Sequence, residues 1–148
     1  MSDAKTILIL EDCPHREYRM RDSLMDRMPQ FPVRVERTAA GFAAALESVP
    51  PGGLLLVALD HDLDTPPDGR DPGDGRDAAA ALAARPPECP VVIHSTNAPA
   101  AVAMTMTLED AGWAVTRVVP TDGHRWVRTA WFRTVRRLIV DSARPAAA

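Results

Sequence analysis

The sequence predicts a doubly wound α/β fold, with a five-stranded parallel sheet in the order 2-1-3-4-5 and helices on both faces. Two observations carry this prediction. Short apolar runs alternate along the chain with longer amphipathic segments, which is the pattern of buried parallel strands separated by covering helices. The chain has 148 residues, of which 46% are hydrophobic and 25% charged. That size and composition are typical of one soluble globular domain.

The strands are predicted from the short apolar runs, each of which we expect to be buried. Between the first three strands, the helix signals are clear. Pro14 suits the first turn of a helix that runs to about Met28. Thr38 can cap a second helix that continues to Val49 and ends at the breaker Pro50-Pro51-Gly52-Gly53. The predicted strands are Thr6–Leu10, Val33–Glu36, Leu54–Leu59, Val91–His94 and 114–119.

Three further helices are predicted in the second half of the chain. An alanine-rich helix over 78–84 is stopped by a Pro-Pro pair, and a helix over 100–111 ends at Gly112, a residue favoured after helix ends. The last helix, over 124–141, has an apolar stripe. The stripe consists of Val127, Trp131, Val135 and Leu138.

Composition and charge limit the classes of function. A net charge of −3 argues against a broad DNA-binding surface, although a local basic patch remains compatible with it. No run approaches the roughly 18 apolar residues of a membrane span, and the N-terminus lacks a signal-peptide pattern, so a cytoplasmic protein is expected. We expect one domain over 1–142 and a disordered tail over 143–148. Cys13 and Cys89 are too few for a disulfide framework and are interpreted as free thiols.

Carboxylates follow the first and third predicted strands. Glu11 and Asp12 end the first strand and Asp60 ends the third, and these strands are neighbours in the predicted order. Ligands bind open parallel sheets at the carboxyl ends of the strands. Carboxylate oxygens at that rim suit a hard divalent cation, with Mg²⁺ expected and Mn²⁺ as the alternative. For the nearby Asp62 and Asp64, helix capping or a loop role is the favoured interpretation.

Histidines also fall at this rim. His61 follows the third strand, His94 ends the fourth, and His15 and His124 come after the first and fifth. A histidine titrates near neutral pH and can give or take a proton. Two histidines arriving from adjacent strands could therefore divide the roles of base and acid in a phosphoryl reaction, with Asp60 beside them.

The run VVIHSTN places further polar groups after His94. Ser95, Thr96 and Asn97 offer hydroxyl and amide donors to the oxygens of a phosphoryl group. The alternative interpretation is that Thr96 or Asn97 simply caps the following helix. Arg16, near the first strand end, is a further phosphate-binding candidate.

The order of these residues resembles the phosphoacceptor receiver domains of response regulators. The resemblance rests on Glu11-Asp12, Asp60, Ser95 and Pro120, and it implies a receiver or flavodoxin-like fold. It also implies that the acids hold magnesium, that Asp60 accepts a phosphoryl group and that Ser95 senses it. The family's lysine before the proline is absent: that position is Val119, and the single lysine, Lys5, lies at the other end of the sheet.

Four motifs resemble a divergent receiver family proposed to process the 2′,3′-cyclic phosphate ends of cleaved RNA in repair settings. They are ILEDCPHR, LDHDL, DGRDAA and IHSTN, in that order. The resemblance implies a metal-dependent phosphoesterase whose partner is an RNA end or a phosphorylated small molecule. The expected roles are metal binding by Glu11, Asp12 and Asp60, catalysis by His61, His94 and Asp60, and substrate binding by His15, Arg16, Ser95, Thr96 and Asn97.

Two alternatives remain open from the sequence. One is a signalling or ligand-binding receiver module that is phosphorylated at Asp60 and acts on a protein partner. The other is a degenerate receiver that only binds protein. The Pro/Gly-rich connection that holds Asp-Gly-Arg-Asp twice, at 68–71 and 74–77, is long for an α/β unit and is interpreted as a functional lid.

Overall fold

A computed structural model describes residues 4–121 and 123–144 and confirms the predicted sheet. Its five parallel strands lie in the order 2-1-3-4-5. The first four strands have the predicted bounds, and the fifth is one residue shorter than predicted at each end. The strands are β1 (Thr6–Leu10), β2 (Val33–Glu36), β3 (Leu54–Leu59), β4 (Val91–His94) and β5 (Val115–Val118).

Five α-helices connect and follow the strands. Pro14 begins the first of them, and the Thr38 hydroxyl accepts a hydrogen bond from the Gly41 amide at 3.0 Å, as an N-cap does. Within the described ranges, no helix is long and apolar enough to cross a membrane. The predicted tail over 143–148 lies largely outside the described residues. The helices are α1 (Pro14–Arg27), α2 (Ala39–Ser48), α3 (Gly75–Ala83), α4 (Ala98–Asp110) and α5 (Phe132–Ser142).

Helices α3 and α4 begin earlier than predicted because polar side chains cap them. Asp74 accepts hydrogen bonds from the amides of Arg76 and Asp77 at 2.9 and 3.1 Å, and the Asp77 carboxylate accepts from the Asp74 amide at 3.1 Å. This reciprocal arrangement satisfies backbone donors that a helix start leaves unpaired. Asn97 caps α4 in a simpler way, by accepting from the Ala100 amide at 3.1 Å.

The sheet separates two hydrophobic clusters. Alternate residues of β3 point to opposite faces: Val57 and Leu59 pack beneath α2, α3 and α4, whereas Leu56 and Ala58 pack beneath α1 and α5. All four are fully buried. The strand therefore contributes to both layers of the core, as the central strand of a doubly wound fold does.

A π-helical turn, Val127–Trp131, runs directly into α5. Hydrogen bonds in a π-turn join residues five apart, so Trp126 and Trp131 come to lie on the same side, and both are buried. Trp126 thus packs within the protein. Leu138 is partly buried and packs against the same core as the rest of the predicted stripe, and Ile139 beside it is buried.

The connection from β3 to α3 contains no helix or strand, but it is held at several points. The Gly75 amide donates to the His61 carbonyl at 2.9 Å, and the Ala39 amide to the Pro72 carbonyl at 2.8 Å. The Asp64 amide donates to the Asp12 carboxylate at 2.6 Å. These contacts fix the connection against the end of the sheet.

We expect Gly75→Ala to lower the free energy of unfolding by about 3 kcal/mol, the upper end of ordinary overpacking. A methyl group there would meet the Asp60 carbonyl oxygen and lie 2.7 Å from the His61 Cα. Both are backbone atoms, so α3 must separate from the strand end. Urea denaturation with and without the substitution measures the change.

The matched control is Gly41→Ala, in the first turn of α2. Its methyl group would meet the end of the Glu36 side chain at 2.8 Å, and that side chain can rotate away. We expect a change below about 1 kcal/mol, because alanine is the better helix former. Equal stability of the Gly75→Ala variant and the wild type would contradict the close packing of α3.

Candidate functional site

Three side chains from neighbouring strand ends meet on one face of the sheet. Glu11 and Asp60 directly follow β1 and β3, and His94 ends β4. In each strand, the residue two positions earlier belongs to the core beneath α1 and α5, so strand alternation directs all three side chains to that side. One ligand-type atom from each lies within 4.8 Å of the others, and all three residues are buried. These residues could bind a metal ion.

Arg16, in the first turn of α1, reaches into this cluster. Its Nε donates to Glu11 Oε1 at 2.8 Å and its Nη2 to Glu11 Oε2 at 3.0 Å, which makes a two-pronged, charge-assisted pair. The same Nη2 lies 3.4 Å from Asp60 Oδ2 and 3.8 Å from Asp12 Oδ1. A single guanidinium therefore contacts all three predicted metal-binding carboxylates.

The two buried carboxylates have opposite pKa shifts. Burial alone raises the pKa of Glu11, but His94 and then Arg16 outweigh burial and hold that pKa well below its usual range. Burial and the neighbouring Glu11 charge raise the pKa of Asp60 to about 9, against the opposing effects of the His61 amide and of Arg16. Without a bound cation, Glu11 is therefore ionised at neutral pH and Asp60 is protonated.

The Asp12 side chain is as enclosed as that of Asp60, at 7% against 9% exposed. Burial raises the pKa of Asp12, the hydrogen bond from the Asp64 amide opposes that effect, and the charge of Glu11 adds to it, so that the pKa is raised overall. Among the described residues, its Oδ1 has no hydrogen-bond partner. This oxygen is buried and lies 3.8 Å from Arg16 Nη2 at the site.

His94 is the most enclosed polar group of the site. It is 1% exposed, and neither ring nitrogen has a hydrogen-bond partner within the part of the chain that the structure describes. Its Nε2 lies 3.3 Å from Glu11 Oε1. The ring packs against Trp126 and Trp131, at centroid distances of 5.9 and 6.4 Å. Buried polar groups are usually paired, so a bare imidazole here indicates a group that meets a ligand.

A cavity of about 380 Å³ opens above the cluster. Glu11 lies beneath it. The lining also includes residues that were not predicted as site residues: Cys13, Asp62, Asp64, Pro120 and Trp126. Cys13 and Asp64 are close in sequence to predicted site residues, whereas Trp126 is brought in by the π-turn. The predicted site residues that line the cavity are Asp12, Arg16, Asp60, His94, Ser95 and Thr96.

His61 lies on the opposite face of the sheet from His94. It comes one residue after Asp60, and successive residues of an extended chain point in opposite directions. Its Nδ1 lies 2.8 Å from Asp62 Oδ1 and its Nε2 3.7 Å from Asp74 Oδ2. The ring is buried at the start of α3 and does not line the cavity.

Two other predicted substrate-binding residues are also outside the cavity lining. His15 is exposed, and its ring stacks on that of His124 at 5.9 Å. Asn97 acts as the cap of α4, which is the alternative that the sequence left open. The structure thus brings together the acids, Arg16 and the residues from His94 to Thr96, and it leaves three predicted residues outside.

The position of the receiver lysine is filled differently in this chain. Val119 is 53% exposed and carries no charge. Arg117, two residues earlier, donates from Nη2 to the Ser95 carbonyl at 3.0 Å. It thereby supports the end of β4.

Comparison with solved structures confirms the receiver fold. The phosphorylated cyanobacterial phytochrome response regulator RcpA is 16% identical, with a TM-score of 0.71 over 97% of this chain and 99% of that one. The Mn²⁺-bound form of response regulator Rcp1 is also 16% identical, with a TM-score of 0.64 over 97% of both chains. The response regulator domain of Thermotoga maritima CheB is 15% identical, with a TM-score of 0.64 over 96% and 99%. No curated protein matches the sequence.

The sequence also matches the model of a family described as the cyclic-phosphate processing receiver domain, over residues 6–110. This range holds β1 to β4 and α1 to α4. It includes the buried acids, Arg16 and His94, and so covers the polar cluster of the candidate site. The chain therefore belongs to the family of cyclic-phosphate processing receiver domains.

Proposed function

We propose that the chain is a metal-dependent phosphoesterase that opens cyclic phosphates, with the 2′,3′-cyclic ends of RNA as its substrate class. The observation that carries this proposal is His94, a buried imidazole without a hydrogen-bond partner among the described residues, beside the Glu11 carboxylate. An ordinary phosphoacceptor needs no titratable ring at this place. A reaction that must protonate a leaving oxygen does.

Opening a cyclic phosphate requires three things of the site. The negative charge of the phosphoryl oxygens must be balanced, a water must attack phosphorus, and the departing ribose oxygen must gain a proton. Arg16, Ser95 and Thr96 line the cavity and can donate hydrogen bonds to phosphoryl oxygens. They would orient the substrate over the acidic cluster.

A divalent cation fits the donor set. Glu11 and Asp60 offer carboxylate oxygens near one another, and Asp12 lines the cavity beside them. Mg²⁺ and Mn²⁺ both accept such oxygens, and His94 stays free of the cation in this proposal. Rcp1, which shares the fold of this chain, is described in a Mn²⁺-bound form, and this supports a divalent cation as the proposed ligand. When bound, the cation would neutralise charge on the phosphoryl oxygens.

The proposed proton transfers use two groups at the cavity. As the bond from phosphorus to the water oxygen forms, Asp12 accepts the proton of the water. As the bond from phosphorus to the ribose oxygen breaks, His94 donates a proton to that oxygen. The product is a phosphomonoester with a free hydroxyl, so atoms and charges balance.

His61 has a different place in this proposal from the one that the sequence indicated. Its contacts with Asp62 and Asp74 make it a positioning residue, which holds the end of β3 against the start of α3. Through that contact it would keep the Asp60 carboxylate aimed at the cavity. A direct role as acid or base is harder to support, because its ring faces away from the cavity.

A receiver-type signalling module is the second candidate function. Asp60 occupies the position of the receiver phosphoacceptor, it lines the cavity, and RcpA is described as phosphorylated. Such a module would pass a change at Asp60 to a protein partner. Against it stands the position of Val119, where the receiver lysine that pairs with the phosphoryl group is missing.

We expect the wild-type protein to convert a 2′,3′-cyclic mononucleotide to a nucleoside monophosphate in the presence of Mn²⁺ or Mg²⁺. His94→Gln should lower kcat by about 100-fold, the usual size of a lost proton-transfer group. The control is His124→Gln, an equally neutral change at a histidine that does not line the cavity. Phosphorus NMR follows the product, and equal turnover by both variants would contradict the role of His94.

Incubation with acetyl phosphate separates the two candidate functions. The phosphoesterase proposal predicts turnover of the cyclic nucleotide without a lasting adduct on the protein. The signalling alternative predicts a mass increase of one phosphoryl group that Asp60→Asn abolishes. A stable adduct without any turnover would overturn the phosphoesterase proposal and support the alternative.

We expect Asp60→Asn to raise the melting temperature of the metal-free protein. The pKa of Asp60 is about 9 in the fold and near 3.8 in the unfolded chain. The stability that this group contributes is therefore complete at low pH and is lost as pH rises through 9. Asparagine has nearly the same shape and does not ionise. The gain in melting temperature in EDTA should thus widen from about pH 5 to about pH 9.

The exposed Asp26, whose side chain is 74% exposed, provides the control for this series. Asp26→Asn should leave the melting temperature nearly unchanged at each pH, because an exposed carboxylate is well solvated in both states. A gain for Asp60→Asn that stays constant or shrinks as pH rises would show that Asp60 is ionised in the metal-free fold.

A further inference from the structure

We infer that Arg16 occupies the cation position of the candidate site and leaves it when a divalent metal binds, so that its guanidinium is released to the phosphate in the same event. The inference rests on the proposed function for the nature of the anion. Its first step, the exchange of a guanidinium for a metal, concerns the protein alone.

The contacts of Arg16 are those that a metal would need. Its Nε and Nη2 lie 2.8 and 3.0 Å from the two oxygens of Glu11, and Nη2 lies 3.4 Å from Asp60 Oδ2. A divalent cation bound to the same oxygens would stand a few ångströms from the guanidinium. Two like charges at that distance in a buried site repel strongly. The metal and the guanidinium must therefore alternate.

His94 gives an independent indication that the cluster takes a ligand. Its ring is 1% exposed and lies in the same ligand cluster as Glu11 and Asp60. Arg16 makes no hydrogen bond to it within the described residues, so the guanidinium satisfies the carboxylates and leaves the imidazole bare. A metal ion on the two carboxylates would lie beside this imidazole, whose ring stays free to donate the proton of the proposed reaction.

The Arg16 guanidinium has space to occupy when it leaves the carboxylates. The Arg16 side chain is 27% exposed and lines the cavity. A change of rotamer would therefore move the guanidinium away from Glu11 and Asp60 while it stays at the cavity. There it would face the same space as Ser95 and Thr96. A phosphate in that space would gain a two-pronged donor. That donor is available only after the metal has displaced Arg16 from the carboxylates.

The first test is the affinity for Mn²⁺ alone, measured by the loss of the free-ion EPR signal. While the Arg16 guanidinium occupies the metal position, Mn²⁺ can bind only to the molecules in which the guanidinium has left. The apparent affinity for Mn²⁺ is therefore reduced in proportion to the fraction of such molecules. We therefore expect Arg16→Gln to bind Mn²⁺ about tenfold more tightly than the wild type. The matched control is Arg19→Gln, which removes the same charge one turn away, where the guanidinium donates to the His15 carbonyl. It should change the affinity by less than about twofold, since an exposed charge is screened.

The second test uses inorganic phosphate. If metal binding frees Arg16 for the anion, saturating phosphate should tighten Mn²⁺ binding in the wild type, and linkage requires Mn²⁺ to tighten phosphate binding equally. This mutual effect should shrink in Arg16→Gln. Mn²⁺ affinity in Arg16→Gln that equals or falls below that of the wild type would overturn the inference, as would phosphate coupling that survives unchanged.

A measurement on the wild type covers the case in which Arg16→Gln does not fold. The Nε proton of Arg16, assigned by its loss in Arg16→Lys, should give a separate NMR signal while it is bonded to Glu11. Titration with Mg²⁺ should remove or shift that signal, and a signal that stays unchanged at saturating Mg²⁺ would overturn the exchange. None of these readouts needs turnover. An inactive protein that still shows the exchange would refute the proposed function and leave this inference standing.

Discussion

The site depends on the buried ion pair between Glu11 and Arg16. Glu11 is fully buried, and a lone carboxylate in that position would be costly to desolvate. Arg16 and the Cys13 amide, which donates to Oε2 at 3.1 Å, satisfy both of its oxygens. The charge fixed in this way then raises the pKa of Asp60 and draws His94 to within 3.3 Å. The raised pKa of Asp60 thus depends in part on the charge of Glu11, which this pair holds in place.

Such a pair also makes the fold sensitive to the loss of either partner. Removal of one partner from a buried pair leaves an uncompensated charge, which typically costs about 3 to 5 kcal/mol. A divalent cation avoids that cost, because it replaces one positive partner with another. The chemistry of the site and the stability of its floor are thus set by the same requirement, that a cation always stands next to Glu11.

Much of this arrangement could be predicted from the sequence because strand periodicity is simple. The apolar runs gave four strands with their observed bounds, and the polar residues at their ends were placed at one rim. His61 was predicted at the correct edge of the sheet, but the prediction did not include the alternation of side chains between the two faces. His61 comes one residue after Asp60, and that offset alone separates its ring from the cavity.

Other features depend on contacts between distant parts of the chain. The capping box of Asp74 and Asp77 starts α3 before its alanine-rich segment. Composition alone does not show this start, because Asp has a low helix propensity but is favoured at caps. The π-turn that brings Trp126 to His94 has no signal in a pattern of 3.6-residue spacing. The pairing of Arg16 with three carboxylates requires the first helix to be seated, and only the folded chain shows it.

The alternation of the strands has a consequence for how such a site can change over time. Glu11, Asp60 and His94 meet only because each stands an even number of residues from a core position on the same face. A single inserted or deleted residue within β1, β3 or β4 would turn one of them to the other side of the sheet. The number of residues in the connection after His61 is not constrained in this way. Lineages of this domain should accordingly vary in the length of that connection and keep the lengths of these three strands.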